Sequence, residues 1–212
     1  MPRQLEFDRT RALERAMKVF WSRGYTATSL AQLLDAMQIA RSSFYATFGD
    51  KRALFTECLD LFAGRTAAIL DHASVIAEPE KAPAYFFDQT LFCVSRSRAW
   101  QGCMMVNAIL ELAEVDAELG RLAAQRLQLV EQRFEALFDQ ARKQGRLQTD
   151  VSPAALAQYI MNVNQGLRVQ SRKRLPPGEL RMAVDTSLSI AGLATLAQLA
   201  ADSTEKGVQH VQ

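Results

Sequence analysis

Apolar residues recur three and four positions apart along almost the whole chain, and nowhere does strict alternation of apolar and polar residues persist for the length of a strand. That periodicity predicts an all-α protein. Ala, Leu, Gln, Arg and Glu, good helix formers apart from any packing, dominate nearly every segment. Pro and Gly divide the pattern into about nine helices, with breaks at Gly24, near Gln38, at Gly49, over 78–83, at Gly102, Gly120, Gly145 and Pro153, and over 176–178. With 212 residues, 49% of them hydrophobic, the chain can bury a sizeable core in one or two domains.

The net charge of +2 conceals an uneven distribution. Residues 1–52 carry nine Lys or Arg against five Asp or Glu, while residues 53–212 carry sixteen against eighteen. The basic excess lies wholly in the first quarter. Cys58, Cys93 and Cys103 form no CxxC pair and share no metal-ligand spacing with His72 or His210, which implies a reducing compartment, no metal and no other cofactor. The opening MPRQLEFDRTRALER lacks the apolar core of a secretory signal, and the longest uncharged stretches, 151–167 and 186–201, are too short and polar to span a bilayer. A cytoplasmic protein without a membrane partner is expected.

Within residues 10–23, Ala12, Leu13, Ala16, Met17, Val19 and Phe20 make one stripe, with Arg11, Arg15 and Lys18 outside it. Gly24 ends that helix. Thr28 or Ser29 can cap a second one, Ser29 and Gln32 completing a capping box, with Leu30, Leu33 and Leu34 turned inward. After a turn over 37–40, Arg41 to Phe48 make a brief third helix whose Phe44 and Phe48 face the core. Its other face carries an Arg, two small hydroxyls and a Tyr, which suits a helix laid in a DNA major groove. Arg41, Ser42 and Ser43 are the base-facing candidates; Thr28, Tyr45 and Lys51 are the phosphate candidates, with Thr47 as a further contact.

The stretch Ala16, Val19, Phe20, Gly24, Tyr25, Thr28, Leu33, Arg41, Ser42, Ser43, Phe44, Tyr45, Phe48 and Lys51 resembles the TetR family of transcriptional regulators. The resemblance covers roughly residues 10–55. It implies a three-helix DNA-binding domain over 1–52, a helical ligand-binding and dimerisation domain over 53–201, and a frayed tail over 202–212. It also implies a dimeric repressor released from a palindromic double-stranded operator by a small hydrophobic effector. Three departures stand out: Gln38 where the family has a turn Gly, Ala40 where it has a capping Ser, and Ala46 where an aromatic often follows the Tyr. They predict a disfavoured backbone at Gln38 and a third helix without a side-chain cap.

Asp50 can cap a fourth helix from Lys51 to about His72, roughly 30 Å long at 1.5 Å per residue. In the family this rod is the lever through which a ligand alters DNA affinity. Residues 84–144 predict three more helices, crowded with aromatic and adaptable side chains. An apolar pocket is expected there from Phe62, Phe86, Trp100, Cys103, Met104 and Phe134, with Asn107 and Gln165 as polar anchors. The string Gly102, Cys103, then Asn107 is similar to a Gly-Cys-x-x-x-Asn stretch in a branch of the family that includes electrophile-sensing repressors, so an alternative is a redox or electrophile sensor acting through Cys103. Residues 154–172 and 179–201 predict two last helices with rows of small residues, Ala183, Ala191, Gly192, Ala194, Ala197 and Ala200 among them, forming a homodimer interface.

No enzyme is indicated. The chain has no phosphate loop, no HExxH, no GxSxG and no Gly-rich fingerprint. The carboxylates Glu111, Glu114, Asp116 and Glu118 cluster as a solvated helix face would. A helical interaction module without DNA activity is the remaining rival, and a steep loss of duplex affinity with salt separates the two.

Overall fold

The computed structural model describes residues 7–201. Ten α-helices are laid out among them: α1 (Arg9–Arg23), α2 (Leu30–Met37), α3 (Arg41–Phe48), α4 (Lys51–Ile76), α5 (Ala82–Phe87), α6 (Arg96–Ala99), α7 (Met104–Leu112), α8 (Ala117–Lys143), α9 (Pro153–Arg172) and α10 (Pro177–Ile190). No strand occurs among the described residues. The tail over 202–212, with His210, lies outside them.

The helix count departs from the periodicity in two places. Residues 84–144 yield α6, α7, α8 and most of α5 rather than three helices. A widened turn explains part of this: the Cys93 N–H donates to the Asp88 carbonyl at 2.9 Å, five residues back, which makes Asp88–Phe92 a π turn that ends α5. Residues 179–201 are likewise interrupted. Gly192 stands at φ 68°, and the Leu193 N–H donates to the Leu188 carbonyl at 2.9 Å, closing α10. Thr195 then caps a new helical run from 196, its N–H donating to Gln198 Oε1 at 2.8 Å while the Gln198 N–H donates to Thr195 Oγ1 at 3.3 Å.

The chain packs as two compact units, each assembled from two segments. The first comprises the described part of Met1–Arg65 with Cys103–Gln128, and the second comprises Thr66–Gly102 with the described part of Leu129–Gln212. Both α4 and α8 contribute residues to each unit.

In the first unit α1 starts at Asp8, whose carboxylate accepts from the Arg11 N–H at 3.0 Å. Its buried stripe of Ala12, Ala16, Met17 and Phe20 packs on α2 and α4. Phe20 meets Phe55 edge-on at 5.0 Å, and Trp21 meets Phe62 at 4.9 Å. Fully burying one such aromatic contributes about 1.5–3 kcal/mol. Arg9 donates both ways to Glu57, at 2.9 and 2.7 Å, and fastens the start of α1 to α4.

The second unit has its own dry core. Phe86, Phe87, Phe134 and Phe138 are all at most 1% exposed, and Phe86 meets Phe134 edge-on at 5.1 Å. Arg168, buried on α9, donates to the Thr90 carbonyl at 2.9 Å and thereby pins the π turn. Lys81 and Arg146 flank Glu78 at 2.6 and 2.5 Å, and together they hold its carboxyl down at about 2, well below the carboxylate range.

The capping expectations are met in α2 and α3. Ser29 and Gln32 form the full capping box, at 2.9 and 3.2 Å. Gln38 sits in the left-handed region at φ 59°, where a non-glycine residue is strained. Ala40 gives α3 no side-chain cap. Ala40→Ser should therefore raise stability by about 1 kcal/mol in urea unfolding, and an unchanged midpoint would mean the α3 N–H groups are already satisfied.

Candidate nucleic-acid interface

Two short helices with a tight turn between them present one outward face. On α3, Phe44 and Phe48 are buried while Arg41, Ser42, Tyr45 and Ala46 are exposed. Ser43 and Thr47 flank that face at intermediate exposure. Tyr45 is 49% exposed and leans edge-on against Phe44, with ring centroids at 5.3 Å, so its position is fixed while its hydroxyl stays outside. Lys51 opens α4, and its ammonium lies 4.4 Å from the centroid of the Tyr25 ring. Burial lowers the Lys51 pKa, and Glu111 offsets part of that. The ring positions the cation at the edge of the same face.

Thr28 behaves differently from the phosphate contact anticipated for it. It is 1% exposed, and its hydroxyl donates to the Gly24 carbonyl at 2.6 Å. Ser29, the residue after it, is the α2 cap. Thr28 thus closes the turn between α1 and α2 because its hydroxyl has a buried backbone acceptor one turn back.

The turn is held from an unexpected quarter. Glu111, on α7, accepts from the Tyr25 N–H at 3.0 Å through Oε2 and from the Thr26 N–H at 2.6 Å through Oε1. These two donors lie in the segment joining α1 to α2, so one carboxylate supplies acceptors that the turn itself lacks. Gly24 makes the approach possible: its φ of 84° suits glycine, and a Cβ there would stand 2.4 Å from Glu111 Oε2. Asp116 and Glu118 hold the next element, both binding Arg52, with Glu118 at 2.7 Å. The Leu119 N–H and then the Arg52 guanidinium keep the Asp116 carboxyl below its usual range. Glu111 and Asp116, two of the four carboxylates read as a wet face, are therefore struts of the first unit, while Glu118 is largely exposed. Sequence spacing offered no signal for them, since their partners lie 64 to 86 positions away.

The eight residues expected to line one apolar pocket are divided between the units. Phe62, Cys103, Met104 and Asn107 belong to the first, and Phe86, Trp100, Phe134 and Gln165 to the second. Phe86 and Phe134 are packed against each other in the second core. Trp100 alone of the eight lines a cavity described in the second unit, one of about 310 Å³. Cys103 is the N-cap of α7 and is 5% exposed, Cys58 is buried, and the exposed thiol is Cys93, which donates to Asp88 Oδ2 at 3.0 Å. Among the described residues no group of His, Cys, Asp or Glu is placed to hold a metal ion, and no helix is long and apolar enough to cross a membrane.

Comparison with known proteins agrees with this geometry. The pattern of bacterial regulatory proteins of the tetR family matches residues 12–58, and that of the tetracyclin repressor-like C-terminal domain matches residues 84–186. The chain is 31% identical over 194 residues to YezE of Bacillus subtilis (strain 168), an uncharacterized HTH-type transcriptional regulator, covering 90% of this chain and 99% of YezE. It is 29% identical over 187 residues to the HTH-type transcriptional repressor ComR of Escherichia coli (strain K12), covering 87% of this chain and 89% of ComR. Among solved structures, the TetR family transcriptional regulator CifR, as a cysteine mutant complexed with 26 bp double-strand operator DNA, is similar with a TM-score of 0.77 and 32% identity, covering 88% of this chain and 98% of that one. With both family patterns in order along the sequence and a relative 31% identical over nearly its whole length, this chain belongs to the TetR family of transcriptional regulators.

Proposed function

We propose that the chain is a ligand-responsive repressor that binds a palindromic operator as a homodimer in the cytoplasm and leaves it when a small apolar effector fills the second unit. One observation carries the DNA part: α3 exposes Arg41, Ser42 and Tyr45 on one face and buries Phe44 and Phe48 on the other. Ser42 and Ser43 are short enough to let the helix approach base edges, and Arg41 has the fork to bind a guanine edge or a phosphate. CifR on its operator and the repressor ComR support carrying the same activity to this chain.

Homodimerisation has its own support. Val169 on α9 and Met182 and Ile190 on α10 are 50%, 65% and 74% exposed, and Ala183 is exposed beside them. Leu188, Leu193 and Leu196, on the same stretch of chain, are buried within it. An apolar face left uncovered on two neighbouring helices fits a second copy of the same face. The burial of Cys103 weighs against a sensor that acts first through that thiol, so a bound effector is the preferred trigger.

Selection from a random duplex pool with the purified protein tests this reading. It should return an inverted repeat with half-sites about 34–36 Å apart, or a multiple of that. If six to ten phosphates are contacted, affinity should fall about 10³- to 10⁵-fold between 50 and 200 mM salt. A single asymmetric site, a salt-insensitive complex, or a monomer by sedimentation at micromolar concentration would overturn it.

A further inference from the structure

The cavity beside Trp100 has a specific electrostatic character. Its walls come from the π turn, α6, the end of α9 and the turn into α10, and they are apolar except for Ser171, Arg96 and Arg174. No Asp or Glu lines it. A third guanidinium, Arg181, lies 4.2 Å from the centroid of the Phe92 ring and is already 3.7 Å from the Asp88 carboxylate. Arg96 and Arg174 have no carboxylate partner among the described residues. Arg174 instead stacks over the Trp100 ring, 5.0 Å from its centroid.

Backbone geometry singles out the same place. Arg174 stands at φ 58°, a left-handed conformation that glycine adopts freely and arginine does not. The opposite wall, Leu91 and Phe92, belongs to the π turn, and such turns are frequent at functional sites. Two costly local conformations thus converge on one cavity, and both serve to place side chains around it.

We propose that this cavity binds a monocarboxylate with an apolar body of about eight carbons. The carboxylate lies between Arg96 and Arg174, and the body rests against Leu91, Trp100 and Leu180. A volume of about 310 Å³ is at the lower end for small-molecule sites and holds roughly ten to fifteen non-hydrogen atoms at interior packing density. Two cations set on an otherwise apolar wall, with no acid to neutralise them, complement an amphipathic anion better than a neutral hydrocarbon. Only the regulatory consequence, release of DNA on filling the cavity, rests on the repressor reading above.

The test compares octanoate with 1-octanol, which has the same chain and no charge, by titration calorimetry on the full chain. Octanoate should bind about tenfold more tightly. Arg96→Gln combined with Arg174→Gly should remove that preference, so that the double variant binds octanoate no more tightly than octanol. Arg174→Gly relieves the strained backbone, so its melting temperature should hold or rise, which separates a ligand-binding role from a structural one. Equal affinity for the two probes, no octanoate binding, or an undiminished preference in the double variant would overturn the assignment. Operator anisotropy in parallel distinguishes the two readings. Octanoate that binds through the arginines and leaves operator affinity unchanged supports the cavity assignment and overturns its role as the effector site. Absence of octanoate binding with salt-sensitive operator binding intact overturns the cavity assignment and leaves the repressor reading standing.

Discussion

Gly24→Ala should destabilise the first unit by about 2–4 kcal/mol, and Glu111→Ala by about 1–2 kcal/mol. The larger figure has two sources. At φ 84° and ψ 174° the Gly24 backbone occupies a region open almost only to glycine, which costs an alanine about 1–3 kcal/mol. The added Cβ would also stand 2.4 Å from Glu111 Oε2 and force that carboxylate away from the Tyr25 and Thr26 N–H groups. Hydrogen bonds to a charged group are worth about 1.5–3 kcal/mol each when buried, and partial exposure of this pair reduces that. Because both substitutions break the same clamp, they should not add. In the double variant, Gly24→Ala should cost about 1 kcal/mol less than it does alone. Urea unfolding of the four chains measures this directly. Strict additivity would mean that Glu111 does not hold the turn in solution.

The clamp also shows where the sequence stops being informative. Local signals were legible: the Ser29 and Gln32 box, the left-handed Gln38, the uncapped Ala40 and the buried faces of α1 and α3 all follow from residue types within one helical turn of each other. Pairings across the chain were not. Glu111 and Tyr25 are 86 positions apart, and nothing in the helical spacing of Glu111, Glu114, Asp116 and Glu118 distinguishes a strut from a solvated face. Thr28 misled for a related reason, because a hydroxyl suited to a phosphate is equally suited to a buried carbonyl such as that of Gly24.

The aromatic pocket illustrates a further limit. Periodicity marks which residues turn inward, and it does not tell a filled core from a hollow one. Phe86 and Phe134 meet edge-on, and both are buried in the second core. The cavity lies instead at the ends of helices, among Leu91, Leu175 and Pro176, in segments whose Pro residues and broken period read as connections. Open space collects there because helix ends cannot interdigitate as helix faces do. A residue such as Arg174, in the turn between α9 and α10, can then carry a specific role.

Removing cations and hydroxyls from α3 and the start of α4 should separate the contacts that read bases from those that only hold the duplex. Arg41→Ala is expected to lower operator affinity about 10- to 100-fold per half-site and to relax preference at one base position in each half. Its side chain is exposed at the start of α3 and has no structural partner among the described residues, so folding stability should not change. Tyr45→Ala with Lys51→Ala should instead weaken binding to all duplexes alike. Loss of the Lys51 cation should also reduce the slope of log affinity against log salt by about one per half-site, since one fewer phosphate counterion is released. Lys51 packs over the Tyr25 ring, so this variant needs a stability measurement beside the binding one. Lys51→Arg supplies the control, restoring the salt slope if charge is what matters. The discriminating measurement is anisotropy titration against the selected operator, single-base variants of it and an unrelated duplex. If Tyr45 and Lys51 alter preference at one base while Arg41 weakens every duplex equally, the assignment of roles along α3 is inverted. If none of the three changes affinity, α3 is not the surface that meets DNA.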